Sequence, residues 1–279
     1  MSAGKPNEAT AGKRYAAPAV DAMLDILEYL SQANRPCGVT ELSRELGITN
    51  NLAFRVMKRL VERGYAETGS TASYKLGTRF FTLGMKLYSD FELRKRARPH
   101  LEWLSGELGE TAQVHAPDGD RMLVVDTVTP HASYFLQVVP GSRVYYHNNA
   151  FGKAVMAFMD EKDVRRLLPK ERLPSLTHNT ITSADALISQ LAQVRKTGVA
   201  FDNEEYMYGI FCIGSPVFNH EGKAVAGLGC TGLTSRYQTG GGGGAIKAVL
   251  AAAENVSRDL GYDGEFFAET KNRNDPERS

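Results

Sequence analysis

Between Gly38 and Leu60 the chain carries two short helical patterns hinged on a single glycine, and few folds accommodate that arrangement. Leu42 and Leu46 lie four apart behind Thr40, whose hydroxyl is placed to cap the first helix. Gly47 reverses the chain, and Thr49 is the expected cap of the second helix. There Ala53, Val56, Met57 and Leu60 share one face, which leaves Asn50, Asn51, Phe54, Arg55, Lys58 and Arg59 on the other. A pair of this kind seats its second helix in the major groove of duplex DNA. The residue types fit: Asn pairs with adenine, Arg with guanine or phosphate, and Phe54 or Leu52 suits a thymine methyl. A basic helix alone is also an ordinary solvated surface, so its neighbours decide.

Upstream, Pro18 opens a helix whose Val20, Met23, Leu24, Leu27 and Leu30 form an apolar stripe able to cover the pair. Downstream, Gly64 to Glu67 and Tyr74 to Gly77 flank the polar loop Thr68 to Ser73 and read as a two-stranded wing. The expected module is a winged helix-turn-helix over residues 14–77. Its segments Glu62 to Tyr65 (ERGY), Tyr74 to Gly77 (YKLG) and Leu83-Gly84 are where residues 16–84 resemble the DNA-binding domain of the IclR family of bacterial transcription regulators. Family members usually carry small hydroxyl residues and a His or Tyr where this chain has Asn51-Leu52 and Phe54, so the resemblance does not transfer an operator sequence. Phosphate contacts are expected from Arg55, Lys58, Arg59, Lys75 and Arg79.

A length of 279 residues suits two domains, and 42% hydrophobic composition suffices for packed cores. The net charge of +1 conceals a division: residues 14–98 carry 14 Lys/Arg against 9 Asp/Glu, a balance of +5, whereas 99–279 carry 17 against 22, a balance of −5. The positive half is the one with the helix-turn-helix. Residues 1–13 are small and polar, lack the apolar core of a signal peptide, and read as a disordered tail. No membrane-spanning run is present, and a cytoplasmic location is expected. Cys37, Cys212 and Cys230 show no metal spacing and read as reduced thiols, and the six histidines show no zinc-binding pattern. No cofactor and no metal are expected.

Residues 78–98 place Phe80, Leu83, Leu87 and Phe91 along one helical edge and end in Arg94, Lys95, Arg96 and Arg98, with Pro99 next. This reads as a linker helix whose apolar edge pairs with a second subunit, since one helix-turn-helix reads only a half-site. A homodimer or homotetramer follows. Beyond it, residues 99–264 alternate between helices and strands. Strands are expected over 111–116, 121–127, 134–139, 143–146, 199–203, 211–217 and 225–231, and helices over 150–159, 162–168, 184–196 and 246–260. This is an α+β domain with a largely antiparallel sheet, followed by a polar tail over 265–279.

Phe151 to Phe158 (FGKAVMAF), Arg195 to Tyr206, Cys212 to Val217 and Ala226 to Gly232 resemble the IclR effector domain, a GAF-like sensor fold. The resemblance implies a small organic acid as effector, an aromatic or sugar-derived carboxylate. It also implies pocket positions at Ala150, Phe151, Asp202, Cys212, Gly229 and Thr231, with Gly229 lacking a hydroxyl that relatives carry. The residues themselves add His147, Asn148 and Asn149 beside a helix start, where free N–H groups favour anions, and Tyr145 and Tyr146 as walls, one facing in and one out.

Enzyme chemistry finds little support. Gly152-Lys153-Ala154 lacks the loop and the Ser/Thr of a phosphate-binding motif, and Cys212 has no assigned base. The Gly240 to Gly244 run reads as a mobile loop. The expected protein is a ligand-responsive regulator, a repressor by family habit, in which effector binding changes the spacing of two recognition helices on a pseudo-palindromic operator. The competing reading is a small-molecule enzyme or binding protein whose N-terminal domain serves only oligomerisation.

Overall fold

The computed structural model describes residues 17–69, 72–132, 135–168, 172–237 and 242–273, and the chain divides into two compact units, 1–90 and 91–279. The first unit begins with α1 (Pro18–Ala33), whose proline supplies a preset φ where no N–H partner is needed. Cys37–Gly38 forms β1, and α2 (Val39–Leu46) follows at once. Gly38 is its N-cap in extended geometry, so the cap lies two residues earlier than expected and Thr40 lies exposed in the first turn rather than capping it. Gly47 ends α2 at φ 64°, a left-handed conformation open to glycine without steric cost. Thr49 caps α3 (Asn50–Glu62) by accepting the Leu52 N–H at 3.2 Å.

β2 (Ala66–Thr68) and β3 (Ser73–Leu76) complete an antiparallel sheet of order β1-β3-β2. Ile26, Leu30, Leu42, Ala53, Met57 and Leu60 pack together beneath it as the core of a winged helix-turn-helix. The helix expected over 78–98 is two helices, α4 (Arg79–Asp90) and α5 (Glu92–Leu108), separated at Phe91 in extended geometry. Helix α5 buries Leu93, Ala97, Leu101 and Leu104 in the second unit's core, so residues 92–98 belong to that unit rather than to a linker. It continues through Pro99, which forgoes one backbone hydrogen bond inside the helix.

The second unit is built on β4 (Thr111–Asp118), β5 (Arg121–Val128), β6 (Arg143–Val144), β7 (Ala200–Asn203), β8 (Ile210–Phe218) and β9 (Ala224–Leu233), in the order β6-β5-β4-β9-β8-β7. Every pairing is antiparallel. The other helices are α6 (Ala150–Met156), α7 (Glu161–Leu167), α8 (Ala184–Thr197), the single turn α9 (Thr234–Arg236), α10 (Gly242–Asp259) and α11 (Phe266–Arg273).

Strand alternation divides the work of the sheet. Ala112, Val114, Ile213, Leu228 and Cys230 pack toward α5 and α10. Gln113, His115, Cys212 and Thr231 point the other way, toward the face where α6 lies. Gly214 and Gly227 carry that helix: a Cβ at Gly227 would lie 2.8 Å from the carbonyl carbon of Phe151 and closer still to its oxygen, and one at Gly214 would lie 2.8 Å from that of Ala150. Only glycine admits backbone that close.

The strand expected over 134–139 is not formed among its described residues, Tyr134 lying outside them. The segment crosses the sheet face instead, held by hydroxyls: Thr111 Oγ1 donates to Leu136 O at 2.6 Å and Thr127 Oγ1 to Val138 O at 3.1 Å. Helix α6 stops at Met156, short of the expected 159. The tail expected over 265–279 includes α11, because Phe267 and Thr270 are fully buried and anchor it. Residues 1–13 and Gly240-Gly241 lie outside the described residues, while Gly242 to Gly244 open α10 rather than forming a loop. Among the described residues no helix is long and apolar enough to cross a membrane.

Candidate functional site

In the first unit, α3 turns Asn50, Asn51, Phe54, Arg55, Lys58 and Arg59 outward, with Phe54 52% exposed, while Leu52 is half-buried. At 100° per residue this outward set is not one face. Asn51, Phe54, Arg55 and Lys58 stand together. Arg59 lies on a flank with Leu52 and Arg63, where the three join Arg55, Met23 and Tyr65 around a 560 Å³ hollow. Arg63 lies one turn past Arg59, just beyond the end of α3. In the wing, exposed Lys75 pairs with Glu67 at 3.0 Å, and Arg59 pairs with Glu62 at 2.6 Å; both are open to water and easily exchanged for phosphate.

The second unit has a half-open cavity of about 300 Å³ between the sheet, α6 and the 136–142 segment. Its floor is a relay of side chains from four strands. Gln113 Nε2 donates to Thr231 Oγ1 at 2.7 Å, Thr231 Oγ1 to Cys212 Sγ at 3.2 Å, and Cys212 Sγ to Asp202 Oδ2 at 3.6 Å. Asp202 Oδ1 accepts the backbone N–H groups of Glu205 at 2.7 Å and Tyr206 at 3.3 Å. Burial nevertheless raises the Asp202 carboxyl above its usual range. Behind it, Lys153 Nζ meets Glu205 Oε1 at 2.5 Å with both side chains out of solvent, and burial raises the Glu205 carboxyl as well.

His115 extends the relay. Its ring stacks on Phe151 at 4.1 Å between centroids, and its Nε2 lies 2.8 Å from Gln113 Oε1. Because Gln113 Oε1 can only accept, Nε2 carries the proton and Nδ1 is left a buried acceptor without a partner. Burial pulls the imidazole pKa down to about 3, so the ring is neutral. Its NMR signals are therefore expected not to titrate between about pH 5 and 8. A midpoint at about 6.5, the ordinary histidine value, would show a solvated ring.

Of the positions named from sequence, Phe151, Asp202, Cys212 and Thr231 line this cavity, as does Asn149. Ala150 packs beside it among Phe151, Ile210 and Cys212. Gly229 has no room for the hydroxyl discussed above, since a Cβ there would lie 2.8 Å from the carbonyl carbon of Ile213. Tyr145 and Tyr146 wall a different hollow, of about 320 Å³, with Arg121 and His147. Tyr146 is buried and Tyr145 half-buried, but both face this one hollow, because the strand expected over 143–146 ends at Val144 and strand alternation does not extend to them. Asn148 is buried with neither amide atom paired. Asn149 caps α6 by accepting the Gly152 N–H at 2.7 Å, and His147 Nε2 bonds Pro174 O at 2.8 Å, so these two serve the loop itself. No sequence motif marks Gln113 and His115 as cavity residues. Their alternation with Ala112 and Val114 places them on one face of a strand, but nothing local says which face holds the cavity. Among the described residues no cluster of His, Cys, Asp or Glu is arranged to hold a metal ion.

A winged helix-turn-helix followed in the same chain by a sheet domain with a half-open cavity fits the class of ligand-responsive DNA-binding regulators. The family model described as bacterial transcriptional regulator IclR C-terminal matches residues 85–258, and that of the IclR helix-turn-helix domain matches residues 19–70. The chain belongs to the IclR family of bacterial transcriptional regulators. The HTH-type transcriptional regulator BhcR of Paracoccus denitrificans is 33% identical over 240 residues, covering 86% of each chain. The crystal structure of the IclR transcriptional regulator from Alicyclobacillus acidocaldarius is 27% identical, covers 88% of this chain and 99% of its own, and superposes with a TM-score of 0.77. An IclR homolog from Microbacterium hydrocarbonoxydans, crystallised with 4-hydroxybenzoate, shares the fold at 20% identity and a TM-score of 0.75, covering 87% of this chain and 98% of its own. The chain is a transcriptional regulator.

Proposed function

We propose that this regulator is a repressor that holds a pseudo-palindromic operator as a two-fold dimer and changes its occupancy when a small organic acid enters the 300 Å³ cavity. The observation that carries the reading is an exposed recognition helix and a cavity floored by a continuous side-chain relay within one chain. Dimerisation is supported by α4, which exposes Phe81 at 71% and Leu87 at 72%, apolar surface that a second copy can cover.

Base reading is assigned to Asn51, Phe54, Arg55 and Lys58, with Asn50 and Thr40 beside the helix starts and Arg59 and Lys75 on phosphate. Arg55→Ala is expected to weaken operator binding by about 10- to 100-fold and to relax selectivity, the worth of one bidentate base contact. Arg59→Ala is expected to weaken all DNA sequences alike and to flatten the salt dependence. Gel retention of genomic fragments over a salt series checks both. The regulator's operator reading fails if no fragment is selectively retained at any salt or acid concentration.

A further inference from the structure

The hydrogen-bond directions of the cavity floor fix what can sit against it. Thr231 and Cys212 each have one hydrogen, and each donates it along the relay toward Asp202. Gln113 uses one of its two amide hydrogens on Thr231. What the inner wall retains is mainly acceptor capacity, the second lone pair of Asp202 Oδ2. The charges point the same way. Lys153 is matched by Glu205, so the buried trio of Lys153, Glu205 and Asp202 is left with the negative charge of Asp202. No Lys or Arg is among the described residues lining the cavity, and His115 is neutral. The wet, uncharged positions are at the mouth, where Gln137, Ser142 and Tyr206 are exposed.

A ligand carboxylate pushed to the floor would lose its water, gain no cation, and face a second carboxylate. A hydroxyl or ammonium group there would meet an acceptor waiting for a hydrogen. From this geometry we infer that the effector enters with a hydrogen-bond donor innermost, given to Asp202, and keeps its carboxylate at the mouth beside Gln137, Ser142 and Tyr206. The inference rests on the reading that this cavity is the effector site. His115 and Phe151 supply a flat stacked wall for the body of the ligand.

Four probes that differ only at the end opposite the carboxylate test it on the full-length protein by titration calorimetry: benzoate, 4-hydroxybenzoate, 4-(aminomethyl)benzoate and terephthalate. The hydroxyl and ammonium probes are expected to bind about 10- to 100-fold more tightly than benzoate, the worth of a hydrogen bond to a charged group, and terephthalate more weakly than benzoate. Asp202→Asn keeps an oxygen for the two backbone N–H groups and presents an amide donor in place of Oδ2. It is expected to erase the advantage of the donor probes and to improve terephthalate. Benzoate or terephthalate equalling the donor probes on the unaltered protein overturns the orientation while leaving the effector site intact, and this ranking decides the matter even if the variant does not fold. Unchanged preference in a folded Asp202→Asn variant overturns the role of Asp202. Silence from all four probes overturns the aromatic-acid reading of the cavity and the inference with it.

Discussion

Replacing Lys153 by methionine is expected to destabilise the second unit by about 3–5 kcal/mol, because breaking a buried ion pair leaves the surviving charge uncompensated. Glu205 would keep a carboxylate that is already buried, with Oε2 unpartnered and Asp202 close enough to oppose its charge. For a unit of this size the melting temperature should fall by roughly 6–20 °C. The companion variant separates charge from packing: Lys153→Met with Glu205→Leu removes both ions and should recover most of the loss. Thermal unfolding of the two variants checks this. A single variant that loses less than about 1 kcal/mol would show the pair to be solvated, as surface pairs are.

Gly227→Val has the second largest expected effect. The new side chain would start 2.8 Å from the carbonyl carbon and Cα of Phe151, and the obstacle is backbone, which cannot swing aside as a side chain can. Helix α6 must lift from the sheet, at a cost of about 1–3 kcal/mol or more. Because Phe151 and Asn149 line the cavity from that helix and its cap, acid binding should weaken together with stability, whereas the separate first unit should keep its helical signal. Gly227→Ala should act in the same direction and less strongly. Calorimetry with 4-hydroxybenzoate beside a thermal melt reads both quantities, and a Val variant with neither changed would remove the glycine seat from the account of the fold.

The parts of this architecture legible in sequence are those in which neighbours along the chain decide the outcome. Thr49, the three-and-four spacing from Ala53 to Leu60, and Gly47 specify the recognition helix within a few residues of it. The same local logic failed where tertiary contacts decide, and two of those places show why. Phe91 breaks the 78–98 helix because α5 must bury Leu93 and Ala97 in a different core from the one α4 follows. Phe267 draws into that core a segment whose composition is that of a tail.

The cavity was half legible. Asp202, Cys212, Thr231 and Phe151 stand in stretches with a recognisable pattern, but Gln113 is 118 residues from the Thr231 it bonds, and Lys153 is 52 from Glu205. Those partnerships depend on strand register, Gln113 facing Gly229 and Cys212 facing Thr231, which no local spacing encodes. Tyr145 and Tyr146 show the converse: their residue types suit a ligand wall, yet the turn before α6 carries them to a different hollow.

By itself the sequence determined that this chain holds a winged helix-turn-helix and an α+β domain, because helix periodicity, caps and turns are short-range properties, and its resemblance to the IclR family implied that the second domain is a sensor. Only the tertiary structure decided how the cavity floor is wired. Hydrogen-bond direction and charge balance at the floor arise where four strands and a helix converge, and burial makes each unpaired lone pair and each uncompensated charge there count.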